Sequence, residues 1–339
     1  MKSNYRYIVK AFMAMAVIAG TTSCDDFLDR EPMSSISPET YYSTAAQLEA
    51  NLNDEYPNVL PSFGQWTYGI FGEDKGTDNQ IEVNANDRYT QDRWKVPHSE
   101  SDNWKFERIY RINFFLSEAL PKFGEDMIGS QNTISGSVAT IKHYIGEMYF
   151  LRAYEYFKKL QLFGDFPIIN QPLADEMEAL REASKRFPRN EVARFIISDL
   201  DKAYAYMSDV DMATTRINKD AAMLVKSRVA LFEATWLQNF KGTAFVPGGE
   251  GWPGASLHNN YQYPSGNIDN EVKYFLEQAV EASKLVADKY KGSLTENTGV
   301  LQQSADDPSN PYFDMFAQED LSDAVSYTHL RAHETVLDL

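Results

Sequence analysis

Four stretches of the chain repeat apolar residues at helical spacing. Over 190–207, Val192, Ile196, Leu200, Ala203 and Met207 form one stripe, which predicts a helix with Asn190 as its N-cap. Over 218–236 the stripe is Ala222, Val225, Val229, Phe232 and Trp236, with Asn218 as cap and Asp220 suited to the positive end of the helix. Over 270–290 it is Val272, Leu276, Ala279, Ser283, Val286 and Tyr290, and Gly292 then ends the helix. The fourth stretch, "ATIKHYIGEMYFLRAYEYFKKLQLFG" (139–164), is apolar on nearly every side, as expected of a helix packed between other helices. Arg152 falls inside its apolar face and should therefore meet a carboxylate. Trp104, Ile112, Leu116 and Ala119 predict a further helix over 102–120.

The fold class that follows is mainly all-α, with tetratricopeptide-like helix pairs and long irregular loops. No clean period of about 34 residues emerges, so any repeats are interrupted by insertions. Those insertions fall near 61–101, 162–189 and 237–270 and hold Gly, Pro, Asn and aromatic residues. Long loops on a rigid scaffold commonly carry function, and aromatic content argues against disorder.

The first residues change the picture. Lys2, Arg6 and Lys10 precede a ten-residue apolar run, 11–20, followed by small residues. Ten residues span about 15 Å as a helix, half of a bilayer core, so residues 1–23 read as a secretory signal peptide and not as a membrane span. The only cysteine, Cys24, follows directly; it closes no internal disulfide, and its setting in Thr22-Ser23-Cys24 resembles a lipobox, although Thr21 stands where Leu is usual. Cys24 is thus expected to be the acylated first mature residue, a stable anchor if two or more chains are attached. Residues 1–23 hold three cations and no acid, so their removal moves the net charge from −17 to −20. Such a balance excludes nucleic acid as a partner, which needs a basic face. At the other end, 325–339 continue no pattern and read as a foreign tail. His329 and His333 lie four apart there, but the Glu of HExxH and a third ligand are missing, so no metal is expected. No nucleotide or cofactor fingerprint occurs elsewhere.

Several stretches, in order, resemble the SusD/RagB family of surface nutrient-binding lipoproteins of Bacteroidetes. They are "CDDFLDREP" from Cys24, "WKFERIYRINFFL" from Trp104, and "GEMYFLRAYEYFKKLQLFGDFPII" from Gly146 with Glu147, Arg152, Tyr154, Tyr156 and Gly164-Asp165-Phe166-Pro167. "PRNEVARFIISDLDKA" with Arg189 and Asp199, and "TRINKDAAMLVKSRVALFEATW" with Arg216, Lys219, Lys226 and Arg228, follow. The resemblance implies four tetratricopeptide-like helix pairs, and an outer-membrane lipoprotein facing the medium that caps a SusC-like TonB-dependent transporter. It also implies a glycan ligand, or in some relatives a peptide, delivered to that transporter without catalysis. The resulting division is signal peptide 1–23, SusD-like helical region 24–236, a loop with an incomplete C-terminal region 237–324, and the tail 325–339.

Sugars present hydroxyl edges and weakly apolar faces, so their sites combine aromatic platforms with amide, carboxylate or guanidinium partners. Trp66, Tyr68, Trp94, Trp252, Tyr261 and Tyr263 lie in non-helical stretches and are candidate platforms; Asp78, Asn79 and Asn259 are candidate hydroxyl partners. The competing role for each aromatic is to pack back on a helix and hold its loop. Tyr149, Phe150, Phe157 and Trp236 are assigned to the core. A glycosidase is the rival class, but among 49 acidic residues a carboxylate pair can be proposed anywhere, so the count has no force. A protein-binding helical scaffold is the third.

Overall fold

The computed structural model describes residues 41–61, 103–124, 126–208, 212, 216–292, 294–301, 304, 307–312 and 314. Contacts divide the chain into residues 1–42 and 43–339, and every helix named below lies in the second unit. Among the described residues there are seven α-helices and one 3-10 turn: α1 (Ala45–Val59), α2 (Glu107–Phe123), α3 (Val138–Phe163), α4 (Met177–Ala183), α5 (Arg189–Tyr206), α6 (Lys219–Asn239), the turn Pro253–Ser256, and α7 (Ile268–Tyr290). Only isolated bridges accompany them, such as Phe166 with Phe187. The fold is all-α, as the periodicity requires.

Side-chain pairs set the direction of each helix. Arg111 near the start of α2 grips Asp54 and Glu55 near the end of α1. The end of α3 meets the start of α5, where Asp165 accepts from the Arg189 N–H at 2.9 Å, and Gly146 near the start of α3 meets Ala203 and Met207 at the other end. Arg189 at the start of α5 pairs with Glu233 late in α6, and Asp220 at the start of α6 pairs with Lys289 at the end of α7. The chain therefore runs as three antiparallel pairs, α1/α2, α3/α5 and α6/α7, stacked in sequence order. Each pair buries against its neighbours, as in tetratricopeptide arrays. None of the described helices is long and apolar enough to cross a membrane.

α3 sits in the middle, flanked by α1, α2 and α5. Ile141, Ile145, Met148, Phe150, Leu151 and Tyr156 are all fully buried. Each such side chain contributes roughly 1.5–3 kcal/mol of burial. Ser137 caps the helix by accepting from the Thr140 N–H, and Gly164 ends it at φ +67, a left-handed geometry that favours glycine. Gly146 serves a different need: a Cβ there would lie 2.7 Å from the Met207 nitrogen, so its absence allows α3 and α5 to touch.

Polar residues inside this core are joined by arginine forks. Arg152 places Nε and Nη2 on the two oxygens of Asp199 at 2.6 and 2.8 Å, and Nη1 on Asn113 and the Asn170 carbonyl. Arg189 forks Glu233, Arg194 forks Glu271, and Arg216 forks Glu147. Glu147 also accepts from the Tyr56 hydroxyl at 2.9 Å and contacts His143 Nε2 at 3.0 Å. These pairs link α1, α3, α5, α6 and α7 at defined registers, which apolar contact alone leaves free to slide.

Two local expectations need correction. α5 begins at Arg189, so Asn190 is not its cap; the first N–H goes to Asp165, and the Asn190 amide instead binds Tyr261 and Glu271. In α7 the buried face is Glu271, Phe275, Ala279, Ala282 and Val286, while Leu276 is 37% exposed. Ala279 and Val286 are buried as expected, but Glu271, Phe275 and Ala282 replace Val272, Leu276 and Ser283, since Glu271 must reach the Arg194 fork.

Candidate functional site

The turn after α3, the start of α5, the end of α6 and the loop beyond it enclose a cleft of about 320 Å³. The sequence builds it locally. Gly164 ends α3, so Asp165 leaves the helix toward α5 and the loop beyond α6 while Phe166 stays buried, paired edge to edge with Phe187 by reciprocal backbone bonds of 3.2 and 3.0 Å. Asp165 then receives the first N–H of α5 on one oxygen and the Trp252 indole N–H on the other, at 2.9 and 2.7 Å. Burial raises the Asp165 pKa, and the bonds from Trp252 and Arg189 oppose that rise.

The walls are aromatic and cationic. Arg189 is 4% exposed and lies 4.1 Å from the ring centre of Trp236, against which it stacks. Its Nε and Nη2 are committed to Glu233, whose own carboxyl is pushed up by burial and pulled back by Arg189. Nη1 of Arg189 has no hydrogen-bond partner among the described residues, and Gly164 leaves open the space beside it, since a Cβ there would approach to 3.4 Å. Arg186 is exposed, stacks at 4.6 Å on Trp104, and has no carboxylate within 4 Å among the described residues. Leu162 and Phe245 border the cleft with 57% and 62% of their surface exposed.

Behind this wall runs a chain of rings. His258 lies 6.0 Å from Trp252, Trp252 5.6 Å from Tyr261, and Tyr261 5.2 Å from Tyr263. Their polar ends are tied down: Tyr261 exchanges bonds with Asn190, Tyr263 donates to the Pro247 carbonyl at 2.7 Å, and His258 Nε2 contacts the Arg186 carbonyl at 2.8 Å. Burial raises both tyrosine pKa values.

Among the sequence-derived candidates, Trp252 lines the cleft at 5% exposure, Tyr261 and Tyr263 brace it from behind, and Asn259 is exposed in the adjoining turn. Cys24, Trp66, Tyr68, Asp78, Asn79 and Trp94 lie outside the described residues. Tyr149, Phe150 and Phe157 are buried as expected, but Trp236 is not a core residue: it is half-buried and forms a cleft wall, because the loop after α6 folds back beside it. Asp165, Arg186, Arg189 and Phe245 were not among the ligand candidates. Asp165 was legible only as part of Gly-Asp-Phe-Pro after a helix, and nothing local marked Arg186. Among the described residues no cluster of His, Cys, Asp and Glu is arranged to hold a metal.

Comparison with known proteins gives a consistent set. A SusD-like family model described as "Starch-binding associating with outer membrane" matches residues 26–231. Two SusD-like proteins of Formosa agariphila are similar: one is 26% identical over 233 residues, covering 63% of this chain and 41% of that protein. The other is 25% identical over 253 residues, covering 71% and 46%. The chain thus spans less than half the length of the curated relatives it matches. A solved SusD-like protein of Bacteroides fragilis has 19% identity and a TM-score of 0.39 over 62% of this chain and 39% of that one. A SusD-like carbohydrate-binding protein of the same species has 17% identity and a TM-score of 0.40 over 59% and 40%.

Proposed function

The chain belongs to the SusD-like family, and from that membership we propose that it captures a glycan at the cell surface and passes it, unaltered, to a SusC-like TonB-dependent transporter. Cys24 would carry the acyl chains that hold it on the outer membrane, on the extracellular side. The observation that carries the reading is the cleft lined by Asp165, Arg189, Trp236, Phe245 and Trp252. It offers an indole and a benzyl face for a sugar ring, with guanidinium and carboxylate groups at its margin for hydroxyls. Its polar groups are held by paired helices, so little ordering is needed on binding. Trp66, Tyr68, Asp78, Asn79 and Trp94 of the 61–101 insertion are proposed as further ligand contacts, and Asn259 as a contact at the rim of the cleft. Tyr261 and Tyr263 would act by holding the wall in place.

Calorimetric titration of the mature chain with a panel of soluble plant, algal and host oligosaccharides tests the binding step. At least one should bind, Trp236→Ala and Phe245→Ala should each weaken it, and no new reducing ends should be released. Turnover of any panel member overturns the non-catalytic assignment. Cys24→Ser should leave the fold intact and free the protein from membranes; retention on membranes contradicts the anchor. Co-purification with a TonB-dependent transporter tests the partner.

A further inference from the structure

Both acids of the cleft are already hydrogen-bonded, whereas two of its guanidinium groups keep donors open. Both oxygens of Glu233 are taken by Arg189, and each oxygen of Asp165 already accepts one N–H. Against these, Nη1 of Arg189 has no hydrogen-bond partner among the described residues, and Arg186 has a ring beneath it and no acid within 4 Å there; Asp165 feels both charges, each lowering its pKa, but takes no side-chain bond from either guanidinium. A guanidinium edge left open in a half-enclosed space asks for a planar pair of acceptor oxygens, and a carboxylate supplies them. A neutral sugar would satisfy the aromatic faces and leave these N–H groups on single hydroxyl acceptors.

We propose that the cleft takes an acidic saccharide, with a uronate carboxylate placed on Arg189 Nη1 and Arg186 and the sugar ring against Trp236 and Phe245. This rests on the glycan-binding reading and specifies its ligand class. The chain's net charge of −17 opposes an anion at long range, but that field is screened over about 8 Å at physiological salt. The contacts proposed here are direct and lie well inside that distance.

The test uses the mature full chain and oligomers of galacturonate, glucuronate and mannuronate, each set beside its carboxyl-reduced counterpart of identical linkage. At least one uronate oligomer should bind about tenfold or more tightly than its reduced form, in keeping with one charge-assisted contact, and the preference should shrink as salt is raised. Arg186→Gln, at an exposed position, should cut that preference by about tenfold. Equal binding of reduced and acidic forms, or a preference unchanged in Arg186→Gln, overturns the acidic-ligand assignment while leaving glycan binding in place. If no oligomer of this set or of the broader panel binds, the glycan reading itself falls and this inference with it.

Discussion

Asp165 accepts the indole N–H of Trp252 at 2.7 Å, joining the turn after α3 to a loop 87 residues further along the chain. The same carboxylate caps α5 through the Arg189 N–H, so one side chain fixes a helix start and a loop together. Trp252→Phe keeps a ring in place and removes the donor. It should cost about 1.5–3 kcal/mol, the usual worth of a hydrogen bond to a charged group. Trp252→Ala also empties the wall and should cost about 3–5 kcal/mol. Urea unfolding of both variants separates bond from packing, and an unchanged midpoint for the Phe variant would show that the bond contributes nothing.

Arg152 and Asp199 are both buried and satisfy one another. Arg152→Ala removes the fork from the Asp199 carboxylate, leaving only Lys202 at 3.9 Å, and should destabilise by about 3–5 kcal/mol. Replacing both residues with apolar side chains, Arg152→Met with Asp199→Leu, should recover much of that loss. A double-mutant cycle read by chemical denaturation checks it; strictly additive losses would contradict the coupling.

Two buried carboxyls should pull the acid stability in opposite directions. Burial tends to raise Glu271, but the bonds from Arg194, Asn190 and Ser265 prevail and hold it below its ordinary value of 4.5. Its contribution is present above 4.5 and is lost as pH falls through the folded-state value. Burial dominates at Glu233 and holds it above 4.5, so its contribution is present below 4.5 and is lost as pH rises through the folded-state value. Melting temperatures measured from about pH 3 to 7 should therefore show a shallower acid-side fall in Glu271→Gln. On the other side of 4.5, Glu233→Gln should show a shallower decline with rising pH. Parallel curves for wild type and both variants would refute the assignments.

Gly146 lies mid-helix, where alanine normally gains about 1 kcal/mol. Here the added Cβ would meet the Met207 nitrogen at 2.7 Å and the Ala203 carbonyl at 3.0 Å, both backbone atoms that cannot swing aside. Gly146→Ala should therefore destabilise, by roughly 1–3 kcal/mol. A raised melting temperature would mean that α3 and α5 can separate at no cost.

The chain by itself determined that the protein is helical and roughly where its helices run, because an amphipathic stripe is a local property at 3.6-residue spacing. Val192, Ile196, Leu200 and Ala203 are each fully buried, as their spacing demands. It also marked Arg152 as a residue in need of an acid, since a lone charge on an apolar face has few other outcomes. α1 was harder to see because its inward positions, Leu48, Leu52, Glu55 and Val59, include a glutamate whose partner Arg111 lies 56 residues away. The same reason governs the buried face of α7 at Glu271, the capping of α5 by Asp165 in place of Asn190, and the position of Trp236 on a cleft wall. Each depends on a partner brought near by the stacking of helix pairs, and only the tertiary structure decides which distant residue that partner is.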